Sequence, residues 1–536
     1  MGSIATEPQR QLRVGLGWHW QAWLWLGGLL LFGWGWGISI AYDFGIADET
    51  WFLQVLTRVV GGDVLYRDVF FGATPLSVYL AAPLVALFGS EIVVLKAFVA
   101  LCFVLTVLAG LATLGRLNGS RRSVPFLLLG LLAYVWPRQA AGYTPLAYAC
   151  LLGCLLVTVK WQTRLADRHQ SAAPSRSLVS AGVLAGLCFA AKQNLGLCAL
   201  GALLASIALV ALQERVSLSK TCRALLTAFA AFTLTVGVTL LPVLLSAGIE
   251  QFIDYGFTNK RTYLRIGGFS YLEGLRALDK RIGTIHSPED LRWVFLQTSF
   301  LLPPLTCVVM LVASIVATKQ QRLFLAITGI FAAAALAGVY PRADIEHVLY
   351  AIPSVLVCAV YAAGIVGARL PRAMQRMLSA GFVLWMILGI GLIGSGVLGR
   401  ILSPDFERST LPHFGGVWLT KEEHAKLQRY ATTLRAATEG EQPFLLSSQA
   451  AFYYLAAGLD NPTPFDYPLE TAFGLHGQAD VMAAIREGRI RWVCLKHAPR
   501  YQMAAHRLAQ FVIDHMEQAA DLKSCTLYRT TLSPAP

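Results

Sequence analysis

Charge is what this sequence has least of: Asp, Glu, Lys and Arg make up 14% of 536 residues, against 56% hydrophobic. That leaves too little polar surface to clothe a water-soluble globule of this length, so a soluble enzyme is excluded. The ten-residue alternation of an outer-membrane strand is absent, which excludes a barrel. There is no Gly-rich phosphate loop, no internal repeat and no low-complexity tract, so nucleotide-binding, solenoid and disordered readings fall away as well. Cysteine is sparse outside the apolar runs. Of ten, only Cys494 and Cys525 lie in the polar C-terminal part. These two either form one disulfide or stand as buried thiols on neighbouring strands.

What the chain does have is long apolar runs, near 18–40, 92–115, 123–136, 145–160, 178–191, 194–213, 224–248, 291–317, 323–339, 348–366 and 378–400, with a mean hydropathy of +0.56. Most are long enough for a helix to cross a hydrocarbon core of about 30 Å. The basic excess, 44 − 31 = +13, follows their spacing. With the N-terminus in the cytoplasm, Arg10, Arg13, Arg116, Arg121, Arg122, Lys160, Arg164, Arg215, Lys220, Lys319, Arg322, Arg369 and Arg372 all fall inside, against only Glu7, Asp167 and Glu214. The opposite segment 41–91 carries Arg58 and Arg67 against Asp43, Asp48, Glu49, Asp63, Asp68 and Glu91. This asymmetry is the positive-inside rule, and no nucleic-acid motif accompanies it. The expected architecture is a polytopic all-α membrane protein of about eleven transmembrane helices in an inner (plasma) membrane. It has a cytoplasmic tail 1–17, a membrane module 18–402 with a first outer loop 41–91, and an extracytoplasmic α/β domain 403–536. Trp18, Trp20, Trp23, Trp25, Trp34 and Trp36 near both ends of the first run suit a retained anchor.

The C-terminal part changes period. Thr420 with Glu423 opens a helix to about Ala437, stopped by Gly440. Pro443–Ser448, Arg491–His497 and Ser524–Thr531 read as strands, Gln478–Glu487 and Tyr501–Leu522 as helices, which predicts a short, mostly parallel sheet. The turn-rich loop Ala457–Tyr467 offers Asn461 and Asp466 to a sugar or polymer acceptor, or is an ordered surface loop.

Candidate chemistry lies in two loops on the outer side. Asp43, Asp48 and Glu49 follow the first span, at a depth where a carboxylate should face water, a cation or a substrate. Adjacent helical residues point about 100° apart, so one of Asp48 and Glu49 can serve as general base while the other orients a helix or holds a divalent metal. The alternative is that Asp48 caps a helix starting at Glu49. Arg67 and Asp68 are a supporting pair or a local ion pair. The twelve apolar residues Ser77–Phe88 are short for a span and read as an interfacial helix. Tyr340–His347 gathers Arg342, Asp344 and His347, a guanidinium and an imidazole suited to a phosphate. Lys192, in the break Lys192-Gln193-Asn194, and Lys96 are further phosphate candidates, while Lys260, Arg261 and Arg265 read as solvated or snorkelling to lipid.

Asp48-Glu49, the following Gly62-Asp63-x-x-Tyr66-Arg67-Asp68, the Pro75-Leu76 entry to the short helix and about eleven spans resemble the GT-C membrane glycosyltransferases, in the protein-mannosyltransferase and aminoarabinose-transferase-like group. The loop Arg342-x-Asp344-x-x-His347 and the segment Leu455-Ala456-Ala457-Gly458-x-x-Asn461-Pro462-Thr463 resemble bacterial members. The resemblance implies a polyprenyl-phosphate sugar donor arriving from the bilayer and a glycan, lipid or protein acceptor from outside. It also implies inversion at the anomeric carbon, with Asp48 as base or metal-assisted activator beside Glu49. One departure is plain: aminoarabinose-type relatives carry Lys-Pro-Pro before the interfacial helix, and this chain has Ala73-Thr74-Pro75. The phosphate-contacting lysine of those relatives is therefore absent, and Lys192, Arg342 or Lys96 would have to replace it. The readings from other classes are a transporter or flippase of a lipid-linked precursor, and a non-catalytic assembly partner that keeps the fold.

Overall fold

The structure, a computed structural model, describes residues 16–117, 121–135, 142–168, 176–246, 248–258, 260–438, 440–496 and 504–530. Glu7, Arg10 and Arg13 of the charge argument lie outside them, as do most of the expected tail and the start of the helix expected from Tyr501.

The chain begins with α1 (Leu16–Ala41), then α2 (Asp48–Val60), α3 (Leu76–Phe88), α4 (Ile92–Arg116), α5 (Val124–Tyr134), α6 (Tyr143–Arg168), α7 (Arg176–Ala191), α8 (Gln193–Gln213) and α9 (Leu218–Ser246). Three short helices follow, α10 (Ile249–Ile253), α11 (Lys260–Ile266) and α12 (Tyr271–Ile282), in a stretch read from sequence only as loop. Then come α13 (Pro288–Gln297), α14 (Leu302–Val316), α15 (Lys319–Ala337), α16 (Ile345–Gly367) and α17 (Arg372–Leu402). Among the described residues eight helical runs are long and apolar enough to cross a membrane, counting Pro288–Val316 as one, and Trp25–Ala41, Val124–Tyr134 and Arg176–Ala191 are shorter apolar helices. These eleven coincide with the apolar runs of the sequence. The protein is a multi-pass helical membrane protein.

In such helices every polar group needs a partner inside the segment. Thr106, Thr113, Thr158, Ser206 and Thr328 each donate to the carbonyl four residues back, which hides a hydroxyl without leaving the helix. Close packing uses small residues: a Cβ at Gly182 would overlap the Ala228 carbonyl, and one at Gly186 would lie 2.7 Å from Thr235 Cβ. Spaced four apart, the two glycines bring α7 and α9 together as a small-xxx-small face does.

The C-terminal unit contains β1 (Phe406–Arg408), β2 (Trp418–Thr420), α18 (Lys421–Ala437), β3 (Phe444–Leu446), α19 (Ala450–Ala457), α20 (Gly477–Arg486), β4 (Trp492–Leu495), α21 (His506–His515), β5 (Glu517–Asp521) and β6 (Thr526–Arg529). Thr420 caps α18 by accepting the Glu423 N–H. The four-stranded sheet has the order β3-β4-β6-β5, in which only β3–β4 is parallel. A mostly parallel sheet was expected. The difference arises because the helix expected through Leu522 stops at His515: Met516 is extended, and Glu517–Asp521 turns back as an edge strand on β6. That strand is largely exposed and ends in charged residues, as unpaired sheet edges commonly are.

Cys494 on β4 and Cys525 beside β6 form a disulfide, with 5.7 Å between their Cα atoms, inside the range a bridge requires. It closes a loop with a sequence separation of 31. Replacing both by serine is expected to lower stability by about 3–4 kcal/mol from the loop entropy returned to the unfolded chain. Thermal unfolding of the double variant checks this.

Candidate active site

The site begins where α1 ends and α2 starts. Ala47, not Asp48, occupies the N-cap position, and it contributes no side-chain cap. Asp48 is therefore the first helical residue, and the capping role considered from sequence does not hold. Its carboxylate is exposed and makes no hydrogen bond or ion pair with a described residue, in a first turn where the helix dipole favours negative charge.

Glu49, pointing round the helix, is fully buried. Its carboxylate accepts the Gly45 N–H at 2.9 Å and lies 3.1 Å from the Lys96 ammonium. Burial pushes the Glu49 carboxyl above the usual range, against the pull of Lys96. Lys96, 1% exposed, also donates to the Asp43 carbonyl at 3.2 Å and reaches Ser39 Oγ at 3.5 Å. A lysine so enclosed has no face left for a lipid phosphate, and Glu49 none for an acceptor. The pair joins α2 to α4 as a buried ion pair, so the roles expected of both residues are corrected by their surroundings.

Cations stand beside Tyr143 and Tyr263, the two phenols within electrostatic reach of Asp48. Lys192, in extended backbone between α7 and α8, puts its ammonium 6.0 Å from the Tyr143 ring centroid and 3.5 Å from Thr144 Oγ1. The break is lashed down on both sides of the lysine's own side chain. Gln193 donates to the Gly256 carbonyl at 2.6 Å and to Gly72 at 3.4 Å, and Asn194 donates to the Gly338 and Tyr340 carbonyls. Lys260, at the head of α11, has its ammonium 6.0 Å from the Tyr263 ring, and 3.2 Å from where a Cβ on Gly72 would stand. Sequence reasoning left Lys260 in solvent, and the structure draws it against the first loop. Burial lowers both lysines to about 8, with the Lys260 charge adding to the effect at Lys192.

The third wall is the loop before α16. The Phe269 N–H donates to the Pro341 carbonyl at 3.1 Å and the Phe269 carbonyl accepts the Ala343 N–H at 2.8 Å, so the segment after α11 pairs with this loop. Arg342 Nε donates to Asp344 at 2.6 Å, and its charge lies within electrostatic reach of Tyr263. Asp344 caps α16 by accepting the His347 N–H at 3.1 Å, and its other contact is the His347 ring Nδ1 at 2.7 Å. That places the ring proton on Nδ1 and leaves Nε2 to a ligand. Burial opposes the Asp344 charge, but the His347 and Arg342 bonds outweigh it and hold the carboxyl below its usual range. Tyr143 and Tyr263 lie within electrostatic reach of Asp48, Lys192 within reach of Asp344. One open carboxylate thus has two phenols near it, Tyr143 with Lys192 beside its ring and Tyr263 with Lys260 beside its own.

The remaining candidates fall elsewhere. Arg67 and Asp68 form an exposed ion pair at 2.8 Å, with Asp68 also accepting the Val64 N–H; their role is to shape a turn. Asp466 is fully buried, bound by Arg58 at 3.1 Å, Asn461 at 2.9 Å and Gln54 at 3.4 Å. Asp466 therefore holds the C-terminal unit to α2 and has no open face for an acceptor, a correction to the sequence expectation, while the half-buried Asn461 bonds Asp466 and Thr463. Their partner Arg58 was missed. It also donates to Asp63, to the Thr463 carbonyl and to the Asp68 carbonyl. The signal available was one of only two arginines among the acids of 41–91. Among the described residues no group of three or more His, Cys, Asp or Glu comes together to hold a metal. With Glu49 turned to Lys96, Asp48 stands as a single open carboxylate, too few donors to fit a divalent ion.

Fold and site define a class: a multi-pass helical membrane protein with a C-terminal α/β unit. The particular likeness is to ArnT from Cupriavidus metallidurans. The crystal structure of its apo state superposes with a TM-score of 0.54 at 14% identity, over 96% of this chain and 98% of that one. A second structure of that protein, bound to undecaprenyl phosphate, gives a TM-score of 0.41 at 14% identity over 97% and 100%. No family model matches the chain, and no curated protein matches it.

Proposed function

We propose that the protein is an integral-membrane glycosyltransferase that moves a sugar from a polyprenyl-phosphate donor to an acceptor on the extracytoplasmic face. The observation that carries this reading is Asp48, an exposed carboxylate without a hydrogen bond or ion pair among the described residues, within electrostatic reach of Tyr143 and Tyr263, the phenols beside which Lys192 and Lys260 stand. A transfer with inversion needs these two halves. Asp48 takes the proton of the acceptor hydroxyl as its oxygen bonds the anomeric carbon, and the bond from that carbon to the phosphate oxygen breaks. The electron pair leaves with the polyprenyl phosphate, whose growing charge the two ammoniums and the guanidinium stabilise. His347 donates from Nε2 only when protonated there; as the Nδ1 tautomer it accepts, and suits a sugar hydroxyl. No step is assigned to a metal.

The ammonium missing from Ala73-Thr74-Pro75 is then supplied in space by Lys260, which reaches Gly72, the residue just before that triplet. Neither the sugar nor the chemical nature of the acceptor enters this reading.

The two lysines give a test in solution. Both titrate near 8, below the ordinary lysine range, so phosphate binding is expected to be strong at pH 7 and to be lost as the ammoniums deprotonate. The Kd for polyprenyl phosphate in nanodiscs should rise by about tenfold or more from pH 7 to pH 9. In Lys260→Arg the same profile should flatten, because arginine stays charged. An affinity unchanged to pH 10 in the wild type contradicts the lysine assignment.

A further inference from the structure

The parallel strands β3 and β4 end in a crevice of about 430 Å³ that the site around Asp48 does not use. In open α/β sheets ligands bind at the carboxyl ends of parallel strands. Here Ser447, Ser448 and Gln449 follow β3, Lys496 follows β4, and His506 and Gln510 line the crevice from one face of α21. Lys496 donates to Gln449 Oε1 at 2.6 Å, bridging the two strand ends, and Ser447 Oγ accepts the Gln449 N–H. Gln510 donates to Asp514, which is outside the lining. Among the described lining residues are hydroxyls, amides, an ammonium and an imidazole, with no carboxylate. Such a set suits a polyhydroxylated anion: the hydroxyls and amides meet sugar hydroxyls, and the ammonium a phosphate or carboxylate.

The crevice is joined to α2 by one stretch of chain. Pro464 accepts the Phe70 N–H, Asp466 binds Arg58, Tyr467 stacks on Trp51 with centroids 5.7 Å apart, and Pro468 and Leu469 line the crevice. We propose that this crevice binds the anionic sugar of the acceptor, a phosphorylated or uronic residue, and so anchors the acceptor beyond the point of transfer. The acceptor part of the assignment rests on the glycosyl-transfer reading; the anionic-sugar part does not.

The test uses the full chain in nanodiscs with glucose 6-phosphate, glucuronate and glucose as probes, followed by calorimetry or saturation-transfer NMR. Wild type is expected to bind the two anions and to bind glucose about tenfold more weakly or worse. Lys496→Ala should weaken both anions by about tenfold, and Ala509→Phe, which fills the crevice from α21, should abolish binding. Release of polyprenyl phosphate from a lipid-linked donor is then measured with and without cell-envelope extract. In Lys496→Ala the extract concentration giving half-maximal release should rise about tenfold, while release to water stays as in wild type. Equal binding of the anions by wild type and both variants, or no binding at all, overturns the proposal whatever turnover shows. Binding lost in Lys496→Ala with unchanged dependence on extract makes the crevice a site for free anionic sugars and overturns the acceptor assignment. Binding as expected with no release by wild type leaves the anionic-sugar site standing and removes the transfer reading instead.

Discussion

Asp48→Asn is expected to lower the rate of sugar transfer by about 10²–10⁴-fold, the usual contribution of a positioned general base. Asparagine keeps the shape of the side chain and loses its ability to take a proton. Because Asp48 has no partner among the described residues, the change leaves no buried group stranded, and the fold should be unaffected. Removing one negative charge near Tyr143 and Tyr263, beside which Lys192 and Lys260 stand, should leave binding of polyprenyl phosphate unchanged or tighter. The effect then appears in kcat with no rise in donor Kd. Glu49→Gln behaves differently, since it removes the counterion of the enclosed Lys96; there the loss should appear in thermal stability. A variant at Asp48 that retains transfer within tenfold of wild type would remove the residue from the reaction.

Arg58→Ala is expected to cost about 3–5 kcal/mol of stability, because it leaves a fully buried carboxylate without its cation. Four bonds go at once: to Asp63 at 2.7 Å, to Asp466 at 3.1 Å, and to the carbonyls of Thr463 at 2.9 Å and Asp68 at 2.7 Å. Asn461 and Gln54 remain on Asp466 but carry no charge. Burial already raises the Asp466 carboxyl against the pull of Arg58. Without the guanidinium it rises further, above the unfolded value. The sign follows: the deficit is smallest at low pH, where Asp466 is protonated, and grows as pH rises through its folded pKa. Unfolding curves of the variant at several pH values check this, and adding Asp466→Asn should recover part of the loss at neutral pH. Since Arg58 ties α2 to the C-terminal unit, activity should fall with stability; Arg58→Lys, which restores a cation with fewer donors, should recover stability more than half-way.

The membrane helices were legible because lipid demands long apolar runs, and all eleven runs became helices. Asp48 and Glu49 were legible as a pair, but not which of them faces outward. That choice depends on Lys96, in the next long helix, whose ammonium selects Glu49. Asp466 and Asn461 carried the composition of a binding loop, and burial of Asp466 against Arg58 gives them another task. Lys260 stood beside Arg261 and Arg265 in what read as loop, and only the folding of α11 against Gly72 brings it within electrostatic reach of Lys192. In the C-terminal unit, amphipathic spacing through Leu522 concealed an edge strand, because pairing with β6 and not local periodicity decides its conformation. Side-chain identity is read from sequence, whereas the partner across the fold decides what each charge does.

The central claim is that the cluster around Asp48 breaks the bond between a sugar and a polyprenyl phosphate. Its most direct test is release of free polyprenyl phosphate from a panel of polyprenyl-phosphate sugars by the full chain in nanodiscs, with cell-envelope extract as acceptor. The account predicts release by wild type from at least one donor, and its disappearance in Asp48→Asn with donor binding retained. A wild type that binds or moves the labelled lipid across the bilayer yet releases nothing from any donor contradicts it and points to a transporter.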